Sequence, residues 1–339
     1  MISSVAELDA TLTRPSPPLV DLFTRLSGDL TILGVAGKMG VSLAVLAARA
    51  AREAGSSSTV TGVARFSDPA HRQTLEAAGV NTVTCDLLDP TQLSALPVTG
   101  NVVFMVARKF GTTGSEPSTW ATNTVPAVNT ARHFSASRIV AFSTGCVYPL
   151  ASPASGGCSE STPPAPVGEY AWSCLARERI FEFYSRKNNT PTCLLRLNYA
   201  IDLRYGVLHD LATTIAAGKP VDLTTAHFNC IWQGDANTQA LLALGHTTGP
   251  PSTLNITSPQ THSTEQTARA LAEKMRLPVA FTGTPSPVAY LSNPATATAL
   301  FGPPTVAFDT MLDWTASWVK AGLPSLGKPT HFQTQDGTF

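Results

Sequence analysis

Charge is scarce in this sequence. Only 14% of its 339 residues are Asp, Glu, Lys or Arg, against roughly 25% in an average soluble protein. The 23 basic and 23 acidic residues cancel to a formal net charge of zero. This leaves no basic patch for a nucleic acid and no block of like charge for a disordered tail. Long apolar runs are missing too: none approaches the roughly 18 residues that span a bilayer, so no membrane partner is expected. The first residues carry Glu7, Asp9 and Asp21 and no apolar core, so no secretion signal is expected. The six cysteines, at 85, 146, 158, 174, 193 and 230, form no CxxC pair and no metal-ligand spacing. Most fall in apolar stretches and read as buried free thiols, which predicts a cytoplasmic setting and no metal site. Internal repeats are absent. The length suffices for a substantial core in one domain or two.

What is present begins at residue 30, with LTILGVAGKMGVSLAVLAARAARE. A short apolar run over 30–35 is followed by Gly34, Gly37 and Gly40, and then by an alanine-rich helix pattern to about residue 54. A strand, a glycine turn and a helix make a phosphate site. Glycine permits the tight turn, close backbone approach to a pyrophosphate and close helix-on-strand packing. The helix N-terminus then presents free N–H groups and a positive dipole end. The spacing is GxxGxxG rather than GxGxxG. Lys38, inside the turn, adds a phosphate contact.

Strands and helices alternate from there. Strands are predicted at 58–64, 81–85, 101–107, 138–143 and 192–198. Helices are predicted at 71–78, at 120–135 with Pro126 bending it or in its first turn, and at 169–187. Residues 149–168, rich in Pro, Ser and Gly, form a loop long enough to be functional. This order predicts an α/β fold: a doubly wound parallel Rossmann sheet over 30–198, with ligands at the carboxyl ends of the strands. Residues 1–29 are an extension lying against the core. From 199 to 339 the alternation becomes irregular and predicts a smaller α+β substrate lobe covering a cleft. Its strands are expected at 221–223, 229–232 and 252–256, and its helices at 207–217, 235–244, 263–274 and 308–321. The closing segment 329–339 is expected to fold back.

The order of motifs resembles the extended short-chain dehydrogenase/reductase superfamily, of the sugar-nucleotide epimerase/dehydratase type. The resemblance covers roughly residues 30–320. It rests on GVAGKMG at 34–40, CDLLD at 85–89, Ala107 after the fourth strand, STGCVY at 143–148, EYAWSCLARE at 169–178 and LRLN at 195–198. It implies that Tyr170 is the catalytic tyrosine and Thr144 the hydroxyl that orients a substrate oxygen. It implies a cofactor site of Gly34, Gly37, Lys38, Met39, Gly40, Asp86 and Leu87 near the adenine, Ala107, Asn123 beneath the active site, and Asn198 near the nicotinamide or substrate.

One departure matters more than the matches. The family pattern Tyr-x-x-x-Lys is here Tyr170-Ala-Trp-Ser-Cys174. Residues four apart share a helix face. The lysine normally holds the nicotinamide ribose and lowers the tyrosine pKa by its charge. A neutral cysteine does neither, and a tyrosine near its usual pKa of about 10 is a poor base at neutral pH. Arg177, two turns along, supplies charge only from a different direction. Cys174 itself reads as a small buried filler, since no motif places an acid or base beside it.

Arg65 follows the second strand, where NAD sites usually carry an acid, and an Arg there accommodates the 2′-phosphate of NADP. NADP is therefore the first-choice cofactor and NAD the second. From the small lobe, Arg204, Tyr205, His209, His227 and Trp232 are candidates to line the cleft, Arg204 as a bidentate grip on a carboxylate or phosphate. Asp235 is expected to cap a helix. Two functions follow. One is an NAD(P)-dependent oxidoreductase, epimerase or dehydratase acting on a sugar, sugar acid or sugar nucleotide. The other is a non-catalytic NADP(H)-binding sensor or interaction module that has lost the active-site lysine. The resemblance also implies a homodimer through the two large helices.

Overall fold

In the computed structural model, residues 1–111, 113–328 and 330–338 are described. Pro329 and Phe339 of the closing segment lie outside them. The organising element is a seven-stranded, all-parallel sheet. Its strands are β1 (Leu30–Leu33), β2 (Val60–Ala64), β3 (Asn81–Thr84), β4 (Asn101–Phe104), β5 (Arg138–Thr144), β6 (Thr192–Leu197) and β7 (Ser252–Ile256). The order across the sheet is β7-β6-β5-β4-β1-β2-β3. β1 pairs with both β2 and β4, so the order reverses there, and the crevice at the carboxyl ends of β1 and β4 is where such sheets bind ligands.

Flanking helices are α1 (Val5–Leu12), α2 (Pro17–Arg25), α3 (Gly40–Glu53), α4 (Pro69–Ala77), α5 (Pro90–Ser94), α6 (Glu116–His133) and α7 (Gly168–Asn188). Several starts follow from local chemistry. Asp68 and Asp89 each accept an N–H of the following turn, and a proline stands at the first helical position after each, where its missing N–H costs nothing. Helix α3 is almost continuously buried on its alanine and leucine face and packs on the sheet. Pro126 sits well inside α6 and is buried there, so of its two expected placements the first turn is excluded.

The second core gathers α1, α8 (Val207–Ala216), α10 (Thr264–Met275) and α12 (Phe308–Lys320) around Leu8, Leu12, Leu208, Leu211, Leu271, Leu312 and Trp318. The N-terminal extension is thus shared: α1 enters this core, while α2 enters the sheet core through Leu19, Leu22 and Phe23. Short two-residue pairs complete the lobe, such as Ala200–Ile201 with Ile231–Trp232. One expectation is corrected. Residues 252–256, read as a strand of the small lobe, pair in parallel with β6 and extend the main sheet. Helix α9 (Gln233–Leu242) and α11 (Ala295–Phe301) likewise contribute Ala236, Ala240, Leu241 and Ala297 to the sheet core. The chain therefore crosses back after residue 199, because the apolar edge of β6 needs a cover that the first half does not supply. Among the described residues no helix is long and apolar enough to cross a membrane.

Candidate active site

The glycine turn does what its spacing requires. Gly34 has φ +84, and a Cβ there would come 3.0 Å from the backbone of Val106. At Gly40 a Cβ would lie 2.3 Å from the Val35 carbonyl oxygen, so only glycine lets α3 start this close to β1. Gly37 has nothing but the Gly34 carbonyl oxygen near its missing Cβ and leaves open room at the turn. The first turn of α3 has no side-chain cap. Its N–H groups and positive dipole end are thus available to an anion.

The turn forms one end of a cavity of about 400 Å³. Gly34, Gly37, Lys38, Met39, Gly40, Ala107, Thr144, Tyr170 and Asn198 all line it. Those residues are dispersed over the sequence, and the sheet brings them to one crevice. Thr144 ends β5, and its hydroxyl caps the following turn by accepting the Cys146 N–H at 3.2 Å. Thr144 lines the cavity together with Tyr170, which sits in the first turn of α7. Burial pushes the Tyr170 phenol well above its ordinary pKa, the thiols of Cys174 and Cys146 add to this, and Arg177 and Thr144 partly oppose it. Tyr170 therefore holds its proton firmly.

Cys174 is fully buried beneath Tyr170, and burial raises its pKa. Arg177 donates from Nη2 to the Cys174 sulfur at 3.4 Å and from Nη1 to the Val106 carbonyl at 2.9 Å. Its guanidinium reaches the cavity wall. The positive charge at this site thus comes up from the helix face below the tyrosine. Asn123 does not touch the cavity. It accepts the Arg108 N–H at 2.7 Å and donates to Ser173 Oγ at 2.8 Å, clamping the loop after β4 to α7. Behind β5, Glu178 forms a buried bidentate pair with Arg196 (3.0 and 2.7 Å) and accepts Ser143 Oγ.

Lysines stand around the same cavity. Lys38 Nζ lies 3.6 Å from the Tyr205 ring centroid and 4.2 Å from that of Phe110, a cation–π arrangement. Lys109 Nζ is 5.6 Å from the same Phe110 ring and 5.8 Å from that of Tyr170. Lys328 comes in from the C-terminal segment. Burial and the charges of Lys109 and Lys328 bring the Lys38 ammonium down to a pKa of about 7, with Asp210 opposing.

Other candidates are elsewhere. Arg65 is exposed after β2 and does not line the cavity. Asp86 caps its own turn, accepting the Leu88 N–H at 3.1 Å, and Leu87 is buried in a core under α6. Arg204 does not face the cleft: Asp202 holds it in a bidentate pair and Asp9 takes a third donor. His209 bonds Ser325 at 2.9 Å and lies outside the cavity. Trp232 is buried in the second core, edge-on to Trp314, because its indole is too large and apolar to be left at a polar mouth. His227 belongs to a short strand pair. Asp235 is no cap: it sits in the third position of α9 and accepts Thr305 and Val306 N–H groups at 3.0 Å. Asn198 lines the cavity, yet its amide donates to Asn229 and to the Tyr290 carbonyl.

Sequence reasoning missed Lys109, Phe110, Tyr199, Gln233 and Lys328 as cavity residues. The run Arg108-Lys109-Phe110 directly after a strand end was the available signal for two of them. Gln233 donates to Ser42 at 3.0 Å and so ties α9 to the first turn of α3. Among the described residues no three His, Cys, Asp or Glu side chains gather as a metal site.

Comparison of the sequence with curated proteins gives no significant match. Solved structures are similar in fold. A dTDP-glucose 4,6-dehydratase from Bacillus anthracis, in complex with NAD, is 16% identical with a TM-score of 0.71, over 86% of this chain and 96% of its own. A UDP-glucuronic acid 4-epimerase from Bacillus cereus, also with NAD, is 19% identical with a TM-score of 0.70, over 86% and 96%. A UDP-glucose 4-epimerase from Thermotoga maritima with UDP-glucose is 16% identical with a TM-score of 0.69, over 87% and 99%. NAD, not NADP, is the dinucleotide that the first two of these structures name, so the preference for NADP drawn from Arg65 finds no support in them. The family model for NAD dependent epimerases and dehydratases matches residues 30–226. With the parallel sheet, the glycine turn and the Tyr170 site in place, this chain belongs to the NAD dependent epimerase/dehydratase family.

Proposed function

We propose that the protein is an NAD-dependent enzyme acting on a sugar nucleotide, with Tyr170 as its proton-transfer group. The observation that carries this is that Tyr170 and Thr144 stand together on the wall of a cavity that begins at the glycine turn. Gly34, Gly37, Gly40 and the α3 N-terminus would hold the pyrophosphate, and Lys38 would lie against it. Bound there, the nicotinamide would supply hydride exchange. Thr144 orients the substrate oxygen. Tyr170, its proton held firmly by burial, donates that proton to the oxygen of a carbonyl as it is reduced. Arg177 opposes the rise in the Tyr170 pKa and Lys109 Nζ lies 5.8 Å from its ring centroid, so the phenolate left behind is stabilised without a lysine at position 174.

A second reading keeps cofactor binding without turnover, and the buried neutral thiol at Cys174 favours it. The two are separated by one experiment. Nucleotide-stripped protein is titrated with NADH and with NADPH, then assayed for turnover of UDP- and dTDP-hexoses. Turnover abolished by Tyr170→Phe, with dinucleotide affinity kept, supports the enzyme. Binding without turnover of any sugar nucleotide supports the sensor.

We further place a homodimer contact on α6 and α7. Trp172 and Phe183, eleven residues apart and so on one face of α7, are 51% and 57% exposed, and Val125 on α6 is 38% exposed. Large apolar side chains clustered in the open mark association surfaces.

A further inference from the structure

Helix α7 carries Tyr170 in its first turn, and no side chain caps that end. Two hydrogen bonds hold it from the α6 side: Glu169 accepts the Trp120 indole N–H, and Ser173 Oγ accepts the Asn123 amide at 2.8 Å. Both run to the same neighbour and fix one flank of the helix. The other hold comes from the far end of the chain.

Residues 323–328 and 330–338 return from α12 along the small lobe as a strap. Leu326 N donates to the Arg204 carbonyl at 3.0 Å. Thr330 is fixed twice to Asp210, from N at 2.7 Å and from Oγ1 at 2.5 Å. Phe332 is buried in the second core, and Gln335 Nε2 donates to Thr225 Oγ1 at 3.1 Å and to the Val288 carbonyl at 3.2 Å. Every one of these anchors lies in the small lobe, and on this path Lys328 and Thr330 line the cavity.

The strap then meets α7. Gly337 and Gly168 face each other backbone to backbone, with φ +79 and +80. A Cβ on Gly337 would lie 2.4 Å from the Val167 carbonyl oxygen, and one on Gly168 would lie 2.4 Å from the Gly337 carbonyl oxygen. Ordinary contact begins at 3.4 Å, so neither segment accepts a side chain in the joint. Close-packed contacts of this kind transmit displacement rather than absorb it. Tyr170 follows Gly168 by two residues. It shares an apolar cluster with Ala171, Cys174 and Tyr290, and Tyr290 stands two residues from the Val288 carbonyl that holds Gln335. The strap therefore ties the small lobe to the helix end that carries the phenol.

We propose that Gly337 is a positioning residue for Tyr170: the strap, anchored on the small lobe, holds the start of α7 at the Gly337–Gly168 joint and so sets the reach of the phenol to a substrate held by that lobe. This rests on the reading of Tyr170 as the proton-transfer group. Gly337 touches no reacting atom and acts through the helix. Gly337→Val must open the joint from 2.4 Å to ordinary contact at 3.4 Å. A misplacement of about 1 Å at a catalytic group costs about a hundredfold in rate.

The test compares the wild type with Gly337→Val and with a chain ended after Gln335. The shortened chain keeps the Gln335 bonds and removes the joint without adding bulk, so it gives the answer even where the valine variant does not fold. Mass spectrometry reads hydrogen exchange of residues 168–176, alongside NADH affinity and the separate kcat and KM values for UDP- and dTDP-hexoses. The expected result is exchange at the start of α7 at least tenfold faster and kcat at least tenfold lower, with KM and NADH affinity within twofold. A strap that only adds stability would lower Tm and leave both α7 exchange and kcat unaltered, and that result overturns the proposal. Faster exchange with undiminished kcat overturns it equally. Wild-type turnover in Tyr170→Phe overturns the Tyr170 reading instead, and exchange in the two strap variants still decides whether the strap holds α7. In a wild type without turnover the exchange alone decides: rates at 168–176 unaltered in both variants overturn the proposal.

Discussion

Lys38 offers a test that reads protons directly. Its ammonium is brought to a pKa of about 7 by burial and by Lys109 and Lys328, with Asp210 opposing. Near pH 7 about half the Lys38 side chains are therefore neutral. A phosphate charge about 4 Å away, at an effective dielectric of about 20, favours the protonated form by about 4 kcal/mol. At about 1.4 kcal/mol per tenfold, that is about three powers of ten in the protonation constant, enough to return Lys38 to the ordinary lysine range. Dinucleotide binding must then draw a proton from solution. The expected uptake is about 0.5 proton per chain at pH 7 and about 0.9 at pH 8, and affinity falls nearly tenfold per pH unit above 7. The sign follows from the group: the cation binds the anion, so binding weakens as the cation is lost. NADH titration in buffers of different ionisation enthalpy measures the uptake. Lys38→Met is expected to abolish both the uptake and the pH dependence. Uptake that persists in Lys38→Met would assign the proton to another group. Absence of uptake in the wild type would refute the reasoning.

Three further outcomes are expected. Tyr170→Phe lowers turnover by at least a hundredfold, the lower end of a general acid–base contribution, and leaves NADH affinity unchanged; turnover within tenfold of wild type would remove Tyr170 from the chemistry. Glu178→Gln breaks the buried pair with Arg196, whose partners are 2.7 Å apart and nearly inaccessible, and is expected to cost about 3–5 kcal/mol in chemical denaturation because a buried charge is left uncompensated. Arg65→Ala leaves NADH binding unaltered, since Arg65 is exposed and away from the cavity wall. A wild type that prefers NADPH tenfold, with the preference lost in Arg65→Ala, would restore the NADP assignment.

Much of the molecule was legible because its signals are local. The glycine spacing at 34, 37 and 40, the alanine face of α3, the aspartate-proline helix starts and the short apolar strands each act within one turn or one strand, and each states its own geometry. The step from Tyr170 to Cys174 was equally plain, since helix periodicity puts both on one face. Contacts between distant segments were not. Lys109 and Lys328 are ordinary lysines in sequence; the loop after β4 brings the first to the cavity and the returning C-terminal segment the second. Arg204 had the composition of an anion grip, yet Asp202 and Asp9 reach it first. Residues 252–256 read as a strand without declaring their sheet, because a parallel partner is chosen by which apolar edge stands open, here that of β6. Sequence periodicity determined the elements and the glycine turn, for these depend on backbone conformation and on neighbours a few residues away. The tertiary structure alone decided which charges meet, since pairing of side chains is settled by burial and distance between segments that the chain keeps far apart.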